Sequence, residues 1–208
     1  MRRGDAQLTV SRETRAAELF GTSADKALRF AEILAGKGIE WGLIGPKEGE
    51  RIWERHIENC LPITTLIPEG KIHLADVGSG AGLPGIVIAL LRPNVEISLI
   101  EPIPRRAQFL KDTCVELGIK ASVIKAKSES VKSKFEIITA RAVAPLPKLI
   151  ASTWHLLGPN GRILAIKGES AINEIAETKA PNGGKIELYE INFKDLPLAR
   201  VVEVSRAG

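Results

Sequence analysis

The sequence predicts an α/β fold in which helices cover both faces of a mostly parallel β-sheet, with a helical extension at the N-terminus. From residue 71 onward, short apolar runs alternate with segments of helical periodicity, as in chains built from βαβ units. Over residues 11–60, by contrast, apolar side chains recur at helical spacing. We therefore divide the chain into a helical extension, residues 1–68, and an α/β domain, residues 69–208.

The extension is predicted to contain two main helices. The first is expected to begin at Ser23, a residue type that caps helix N-termini, and to end at the glycines of residues 36–38. The second is expected to follow Pro46 and to bury Trp53 in the core. Prolines and a glycine within residues 62–70 mark the boundary with the α/β domain.

The α/β domain is predicted to contain seven strands. Five apolar runs are expected to form the parallel part of the sheet: residues 72–77, 96–101, 121–126, 136–140 and 162–167. Three helices are expected between them: residues 84–91, 104–119 and 146–157. The last two β-like runs, residues 185–193 and 199–205, are separated by a short turn, so we expect them to form an antiparallel pair.

Composition excludes few functions. Hydrophobic residues make up 44% of the chain and charged residues 26%, as in ordinary globular proteins, and no apolar run is long enough to cross a bilayer. We therefore expect a soluble cytoplasmic protein with no membrane partner. The net charge is +4. Basic groups at Arg2, Arg3 and residues 125–134 could neutralise RNA phosphates, although charge alone favours a solvated surface equally.

The two cysteines, Cys60 and Cys114, are far apart in the sequence and lie in segments of helical character. We predict that both are buried free thiols. The three histidines are scattered, and no Cys/His spacing is typical of a zinc site. No metal is therefore predicted.

A glycine-rich segment, ADVGSGAGLPG, follows the first predicted strand. Gly78, Gly80 and Gly82 stand at alternate positions, where they allow the chain to turn sharply and to approach a ligand with bare backbone. Asp76 precedes them and could pair with a cationic group such as an amino group. Glu101, at the end of the second strand, could accept hydrogen bonds from the hydroxyls of a ribose.

The glycine spacing separates two classes of nucleotide-binding protein. Dinucleotide-binding loops follow G-x-G-x-x-G, which would require a glycine where this chain has Leu83. Here the third glycine comes one residue earlier, at Gly82, and G-x-G-x-G after a strand-end acid is typical of S-adenosylmethionine enzymes. The sequence therefore predicts a Rossmann-like methyltransferase fold of seven strands that binds S-adenosylmethionine.

Longer stretches of the chain resemble one known family. The segments HLADVGSGAGLPGIVIALLRP, SLIEPIPRRAQFL and ITARAVAPLPKL are similar to those of the bacterial glucose-inhibited division protein B family, the guanine-N7 methyltransferase G of small-subunit (16S) ribosomal RNA. ERHIENCL matches a helix of that family that carries an Arg-His pair, and AIKG matches its Lys-Gly at a strand end. The similarity covers residues 40–205, and GLPGI is its most specific element.

The resemblance implies a set of functional residues. The glycine loop with Gly78, together with Asp76 and Glu101, is expected to bind the cofactor. The resemblance adds Leu83, Ser128, Glu129 and Arg141 to these cofactor contacts. Those expected to bind RNA are Arg55, His56, Arg106 and Lys167. The family's Ser-Arg-Ala reads Ala140-Arg141-Ala142 here, and its Asn-Leu-Thr stretch is absent after Trp41. Neither departure removes a matched ligand.

The expected chemistry needs no general base, because guanine N7 carries an in-plane lone pair and no proton. We expect an in-line methyl transfer that depends on positioning and on exclusion of water. Arg141 and Lys167 are the candidate catalytic residues, as groups that would hold the base or its phosphate. The expected partner is 16S ribosomal RNA or an assembling small ribosomal subunit, and the expected state is a monomer.

Three other functions are compatible with an α/β fold of this kind. A nicotinamide-dependent dehydrogenase is disfavoured by the position of Gly82 and by the absence of a Tyr/Lys or His/Asp pair near the sheet edge. A non-catalytic RNA-binding module would have no need of the complete glycine and acid set. A methyltransferase for another RNA or for a small molecule is opposed only by the resemblance and by the basic clusters.

Overall fold

The computed structural model describes residues 11–206, so Arg2 and Arg3 lie outside the described residues. Seven strands form one sheet: β1 (Ile72–Val77), β2 (Val95–Ile100), β3 (Ala121–Ile124), β4 (Phe135–Arg141), β5 (Leu157–Lys167), β6 (Lys185–Ile191) and β7 (Ala199–Ser205). Their order is β3-β2-β1-β4-β5-β7-β6. The first five strands are parallel, and β7 pairs antiparallel with both β5 and β6. The predicted fold class is confirmed.

Six α-helices accompany the sheet in the described part of the chain. They are α1 (Arg12–Phe20), α2 (Ala24–Ile33), α3 (Gly85–Leu91), α4 (Pro104–Leu117), α5 (Leu146–Thr153) and α6 (Ala171–Ala176). Five short irregular helical turns lie between α2 and β1: Leu34–Gly38, Pro46–Arg51, Trp53–Ile57, Glu58–Cys60 and Pro62–Leu66. The helix predicted to continue to residue 157 ends earlier, because β5 begins at Leu157 and pairs there with Phe135.

One predicted helix boundary in the extension is confirmed and one is wrong. α2 begins at Ala24 with Ser23 at its N-cap position, as predicted, although the Ser23 side chain makes no capping hydrogen bond and Ser23 also ends the short 3₁₀ turn that joins α1 to α2. A side-chain cap is present at the start of α1, where the Ser11 hydroxyl accepts a hydrogen bond from the Thr14 amide at 3.2 Å. The predicted stop at residues 36–38 is wrong, since a π-helical turn, Leu34–Gly38, carries the helix through both glycines.

The extension packs on one face of the sheet together with α3 and α4. Phe20, Phe30 and Trp53 from the extension belong to the same hydrophobic cluster as Leu74 of β1 and Phe109 of α4. The predicted burial of Trp53 is confirmed, as is that of both free thiols. The extension and the α/β domain therefore share one hydrophobic core. The proposed division at residue 68 falls in residues 67–71, which form no helix or strand.

Arginines from the α/β domain fasten the last turn of the extension. Arg92, just after α3, donates to the carbonyl oxygens of Ile67 at 2.9 Å and Pro68 at 2.6 Å. Arg162 on β5 donates to the carbonyl of Leu66 at 2.5 Å and to Glu203 on β7 at 2.9 Å. These bonds satisfy carbonyl groups that the irregular turns leave without helical partners.

The opposite face of the sheet has a separate core. Side chains of α5 and α6 cover it, among them Leu146, Ile150 and Ala171. In this three-layer arrangement β1 and β4 are adjacent although β2 and β3 intervene in the chain. Connections leave in opposite directions at that point, which opens a crevice at the carboxyl ends of the strands where such folds bind ligands.

Gly85, the first residue of α3, allows this helix to approach the sheet. A Cβ atom there would lie against Leu99 of β2 and 2.8 Å from Oδ2 of Asp76. This residue performs the helix-packing function that dinucleotide folds assign to their third glycine. The sequence signal was present in GLPGI, but no packing function was predicted for it.

Replacing Gly85 with alanine is therefore expected to lower the free energy of unfolding by about 1–3 kcal/mol, the cost of overpacking a well-packed contact. Chemical denaturation would measure the change. Gly36→Ala is the matched control, because a Cβ at Gly36 meets nothing within 4 Å and the residue lies in a helical turn. It should leave stability unchanged or raise it by up to about 1 kcal/mol. Equal effects of the two substitutions would contradict the packing role of Gly85.

Candidate active site

The loop after β1 turns back on itself through its glycines. Gly78, Gly80 and Gly82 have φ angles of 66°, 56° and 90°, a region that residues with a Cβ rarely adopt. The Gly78 amide donates to the carbonyl of Ile100 at 2.9 Å, and the Gly82 amide donates to that of Ser79 at 2.7 Å. The loop is thus fixed to the end of β2 while its backbone faces the crevice between β1 and β4.

Asp76 lies beneath this loop and is completely buried. Its Oδ2 accepts hydrogen bonds from the Ser79 hydroxyl at 2.5 Å and from the Gly85 amide at 3.2 Å. Its Oδ1 accepts one from the Thr139 hydroxyl of β4 at 2.9 Å. The sequence suggested a partner for a ligand amino group, but the carboxylate is used inside the protein, where it joins the loop, α3 and β4.

Burial raises the pKa of Asp76 to about 6, against the opposing effect of the hydrogen bonds from Ser79, Thr139 and Gly85. The folded state therefore binds a proton between pH 6 and the ordinary value of 3.8, where the unfolded state does not. Because the folded state binds this proton more tightly than the unfolded state does, the contribution of Asp76 to stability is largest below pH 3.8. It falls as the pH rises from there through the folded-state pKa of about 6.

Asp76→Ala is expected to lower the free energy of unfolding by about 2–4 kcal/mol, since two buried hydroxyls lose their acceptor. The loss should be larger at pH 5 than at pH 8, because the ionised carboxylate is the less favourable form in this site. Denaturation curves of both proteins at the two pH values would show it. Asp112→Ala, on the exposed face of α4, is the control; a pH-independent difference for Asp76→Ala would count against the raised pKa.

Glu101, directly after β2, is bonded to the loop from the other side. Its Oε2 accepts from the Gly80 amide at 3.0 Å and its Oε1 from the Ile103 amide at 2.9 Å. Only 2% of the residue is exposed. A carboxylate has about four acceptor positions, so each oxygen keeps capacity for a further donor such as a ribose hydroxyl.

Ser128 and Glu129 form a short turn after β3, next to the end of β2, because Ile100 and Ile124 pair across the two strands. The Ser128 hydroxyl donates to the Glu129 carboxylate at 3.1 Å. Leu83 is 6% exposed and its side chain belongs to the core. A contact between Leu83 and a cofactor would therefore involve its backbone.

Arg141 ends β4 and reaches the extension. Its guanidinium donates to the carbonyl of His56 at 3.2 Å and to His56 Nδ1 at 2.7 Å. It also contacts Cys60 Sγ at 3.6 Å. Arg55 and His56, which are expected to bind RNA, therefore lie beside Arg141, the candidate catalytic residue. Arg141 holds the helical turns of the extension against the carboxyl edge of the sheet.

The bond from Arg141 determines the state of His56. Arginine is only a donor, so Nδ1 must carry a lone pair and the proton must be on Nε2. Nε2 in turn lies 3.1 Å from the Glu48 carboxylate, whose other oxygen accepts from Arg55 at 2.8 Å. Burial lowers the pKa of His56, with a further lowering from Arg141, and Glu48 opposes both. The imidazole is therefore neutral near pH 7.

Lys167, at the end of β5, is less available than the sequence suggested. Its ammonium donates to the carbonyl of Ala144 at 2.9 Å and to Glu174 at 2.7 Å, and its side chain is 12% exposed. Glu174 also accepts from the Leu146 amide at 2.7 Å. Burial raises the pKa of Glu174, but the bonds from Lys167 and Leu146 outweigh it and the pKa is lowered. The pair fixes the segment between β4 and α5.

A cleft of about 780 Å³ lies between the extension and the ends of β4 and β5. The described residues that line it include four basic side chains and four carboxylates. The basic side chains are Arg51, Arg55, Arg141 and Lys167, and the carboxylates are Glu48, Glu54, Glu58 and Glu174. Arg106, predicted to bind RNA, lies outside this cleft, exposed in the first turn of α4. The sequence did not single out Glu48 or Glu174, because an acid that neutralises a neighbour has no motif.

Glu48→Gln is expected to lower the pKa of His56 further, because the only group among its described neighbours that favours the imidazolium loses its charge. Proton NMR can follow this directly, since the chain has three histidines. Glu54→Gln, a carboxylate of the same cleft with no hydrogen bond in the described structure, should leave the His56 titration in place. An unchanged pKa in Glu48→Gln would show that Glu48 does not act on His56.

Comparison with known proteins assigns the family. The model described as rRNA small subunit methyltransferase G (GidB) matches residues 23–195. The chain belongs to this family. A relative from Mycolicibacterium gilvum, named ribosomal RNA small subunit methyltransferase G, is 46% identical over 198 residues, which cover 90% of this chain and 87% of the relative. One of the same name from Thermobifida fusca is 49% identical over 168 residues, 79% of this chain and 70% of the relative.

Solved structures agree with the fold. The ribosomal protein L11 methylase of Lactobacillus delbrueckii subsp. bulgaricus superposes with a TM-score of 0.57 at 18% identity, covering 71% of this chain and 75% of that one. Such a likeness bears on the fold alone. GidB membership confirms the predicted family, the class of S-adenosylmethionine-dependent rRNA methyltransferase and its cofactor. Within residues 11–206, no helix is both long and apolar enough to span a membrane.

Proposed function

We propose that this chain transfers the methyl group of S-adenosylmethionine to N7 of a guanine in 16S ribosomal RNA. The observation that carries the proposal is the joining of a GidB-type glycine loop to a polar cleft through one strand, β4. Thr139 of that strand bonds Asp76 beneath the loop, and Arg141 two residues on lines the cleft. Cofactor loop and cleft are thus held at a fixed separation by a single rigid element.

The residues around the loop fit the cofactor. Gly80 is partly exposed, a Cβ there would meet nothing closer than 3.7 Å, and Glu101 retains acceptor capacity beside it. We propose that the glycine loop and Glu101 hold S-adenosylmethionine, with the turn of Ser128 and Glu129 beside them. Once bound, the cofactor supplies an electrophilic methyl group.

The chain's own residues have a limited chemical task. N7 of guanine is not protonated at neutral pH, so none of them must remove a proton. Arg141 donates hydrogen bonds only, and the neutral His56 beside it adds no second positive charge that would repel the sulfonium. Their proposed function is to orient the base edge and to exclude water, which places most of the rate acceleration in positioning.

We further propose that the substrate is presented as an unpaired segment of the RNA, free or within an assembling small subunit, and that the protein acts as a cytoplasmic monomer. Sequence-specific recognition of RNA acts mainly on unpaired nucleotides, whose bases can be splayed out. A cleft of about 780 Å³ has room for a nucleotide but not for a duplex.

The direct test is transfer of labelled methyl groups from S-adenosylmethionine to free 16S ribosomal RNA and to isolated small subunits. Chromatography of the digested RNA should yield 7-methylguanosine at a single position. Incorporation into another base would replace the proposed target while keeping the reaction. Cofactor binding without incorporation into any RNA would support a non-catalytic RNA-binding protein instead.

Arg141→Ala is expected to reduce kcat/KM for the RNA by about 100-fold, as removal of a group that acts on the reacting centre commonly does. It should also lower the free energy of unfolding by about 1–2 kcal/mol, since His56 loses its donor. Activity and thermal denaturation must therefore be measured together, with Arg200→Ala of β7 as the control. Activity that falls no further than the folded fraction would remove Arg141 from the catalytic site.

A further inference from the structure

Five large hydrophobic side chains are exposed in the described part of the chain: Ile103, Val115, Val143, Ile172 and Leu198. All but Val115 lie in segments at one edge of the sheet. Ile103 follows β2, Val143 follows β4, Ile172 follows β5, and Leu198 precedes β7, which runs antiparallel and so begins at that same edge. Exposed apolar groups that collect in one place mark an interaction site more often than scattered ones do.

Two of these residues, Val143 and Leu198, line the cleft that contains Arg141 and His56. Each is 42% exposed. Their chain neighbours in the cleft are mostly apolar as well: Ala142, Ala144, Pro145, Leu196 and Pro197. The cleft therefore has polar groups from the extension and from the α/β domain, and apolar segments formed by the loops before α5 and before β7. The sequence predicted functions for Arg55, His56, Arg141 and Lys167 of this cleft but for none of its apolar residues.

Val143 also touches the cofactor loop. A Cβ built on Gly78 would lie 2.7 Å and 2.9 Å from the two methyl groups of Val143, so these methyl groups pack directly on the Gly78 backbone. The segment that carries Val143 is held on its far side, where Lys167 donates to the carbonyl of Ala144. Ala142 has a φ of 54°, which turns the chain between Arg141 and Val143. Val143 is thus fixed at the junction of glycine loop and cleft.

The chemistry of N7 methylation requires contacts of this kind. The N7 lone pair lies in the plane of the purine, so the ring must present its edge to the methyl group, and its two faces must be held by other groups. Proteins that bind unpaired bases often use aromatic side chains for such contacts. Among the described residues, no Phe, Tyr or Trp lines the cleft. Aliphatic side chains are what the cleft offers to a ring face.

We propose that Val143 and Leu198 form the contact surface for the ring of the target guanine. Val143, which lies on Gly78, sets the position of the ring relative to the cofactor loop. Leu198 provides a second apolar contact from the turn between β6 and β7. The polar edge of the base is left for Arg141. This inference rests on the proposed function, and it assigns substrate contacts to two uncharged residues for which the sequence predicted no function.

The test compares Val143→Ser and Leu198→Ser with the wild-type protein in methyl transfer to small-subunit RNA. Each substitution should lower kcat/KM about tenfold, the order expected when an apolar contact with a base is lost. For Leu198→Ser the affinity for S-adenosylhomocysteine, measured by calorimetry, should stay within about twofold of wild type. Both side chains are exposed, so melting temperatures should change little.

Conservative and remote variants separate a ring contact from a general effect. Leu198→Met and Val143→Ile keep the apolar surface and should restore most of the activity. Val115→Ser, on α4, and Ile172→Ser, at the same edge but outside the cleft, should match wild type. A loss in Ile172→Ser as large as that in Leu198→Ser would overturn the assignment to these two residues, as would serine variants with unchanged kcat/KM.

Failure of this inference is distinguishable from failure of the proposed function. Wild-type protein that transfers no methyl group to guanine in any small-subunit RNA would overturn both. An active wild type whose Val143→Ser and Leu198→Ser forms are equally active would overturn the ring contact alone.

Discussion

The site depends on a buried carboxylate. Asp76 accepts hydrogen bonds from the glycine loop, from the start of α3 and from β4, and so joins three parts of the chain at one point. Its burial is unfavourable for the charged form, which is why its pKa is raised. The three donors offset only part of that cost. The result is a loop whose position is specified by one polar centre in an apolar surrounding.

The second constraint is the contact between the extension and the sheet. Arg141 ends β4 and bonds His56, and Glu48 bonds both His56 and Arg55, so these four side chains are held by one another. The extension thereby contributes one side of the site as well as part of the core. A Rossmann-like domain alone would hold the cofactor loop but would leave the cleft without that side.

The sequence predicted the parts that depend on periodicity and on local backbone chemistry. Strand alternation and the glycine spacing give the sheet and the loop, because both follow from short-range rules. It did not predict the use of Asp76 inside the protein, or the occupation of Lys167 by Glu174, since these depend on which distant segments meet. Ser23 is at the N-cap position of α2, as predicted, but its side chain makes no capping bond because α1 continues into α2 through a tight turn, which no single residue signals.

The equal numbers of cations and carboxylates in the cleft bear on how RNA would be attracted. Affinity that comes from neutralising phosphates rises with each free cation and weakens steeply with salt, because condensed counterions are released. A charge-balanced cleft gains little in this way. Long-range attraction would then rest on exposed cations outside it, such as Arg105 and Arg106 in the first turn of α4 and Lys125, Lys127 and Lys132 after β3. The RNA would then be attracted by exposed cations whose effect depends strongly on ionic strength. The target base would be recognised in the cleft, where binding depends little on ionic strength.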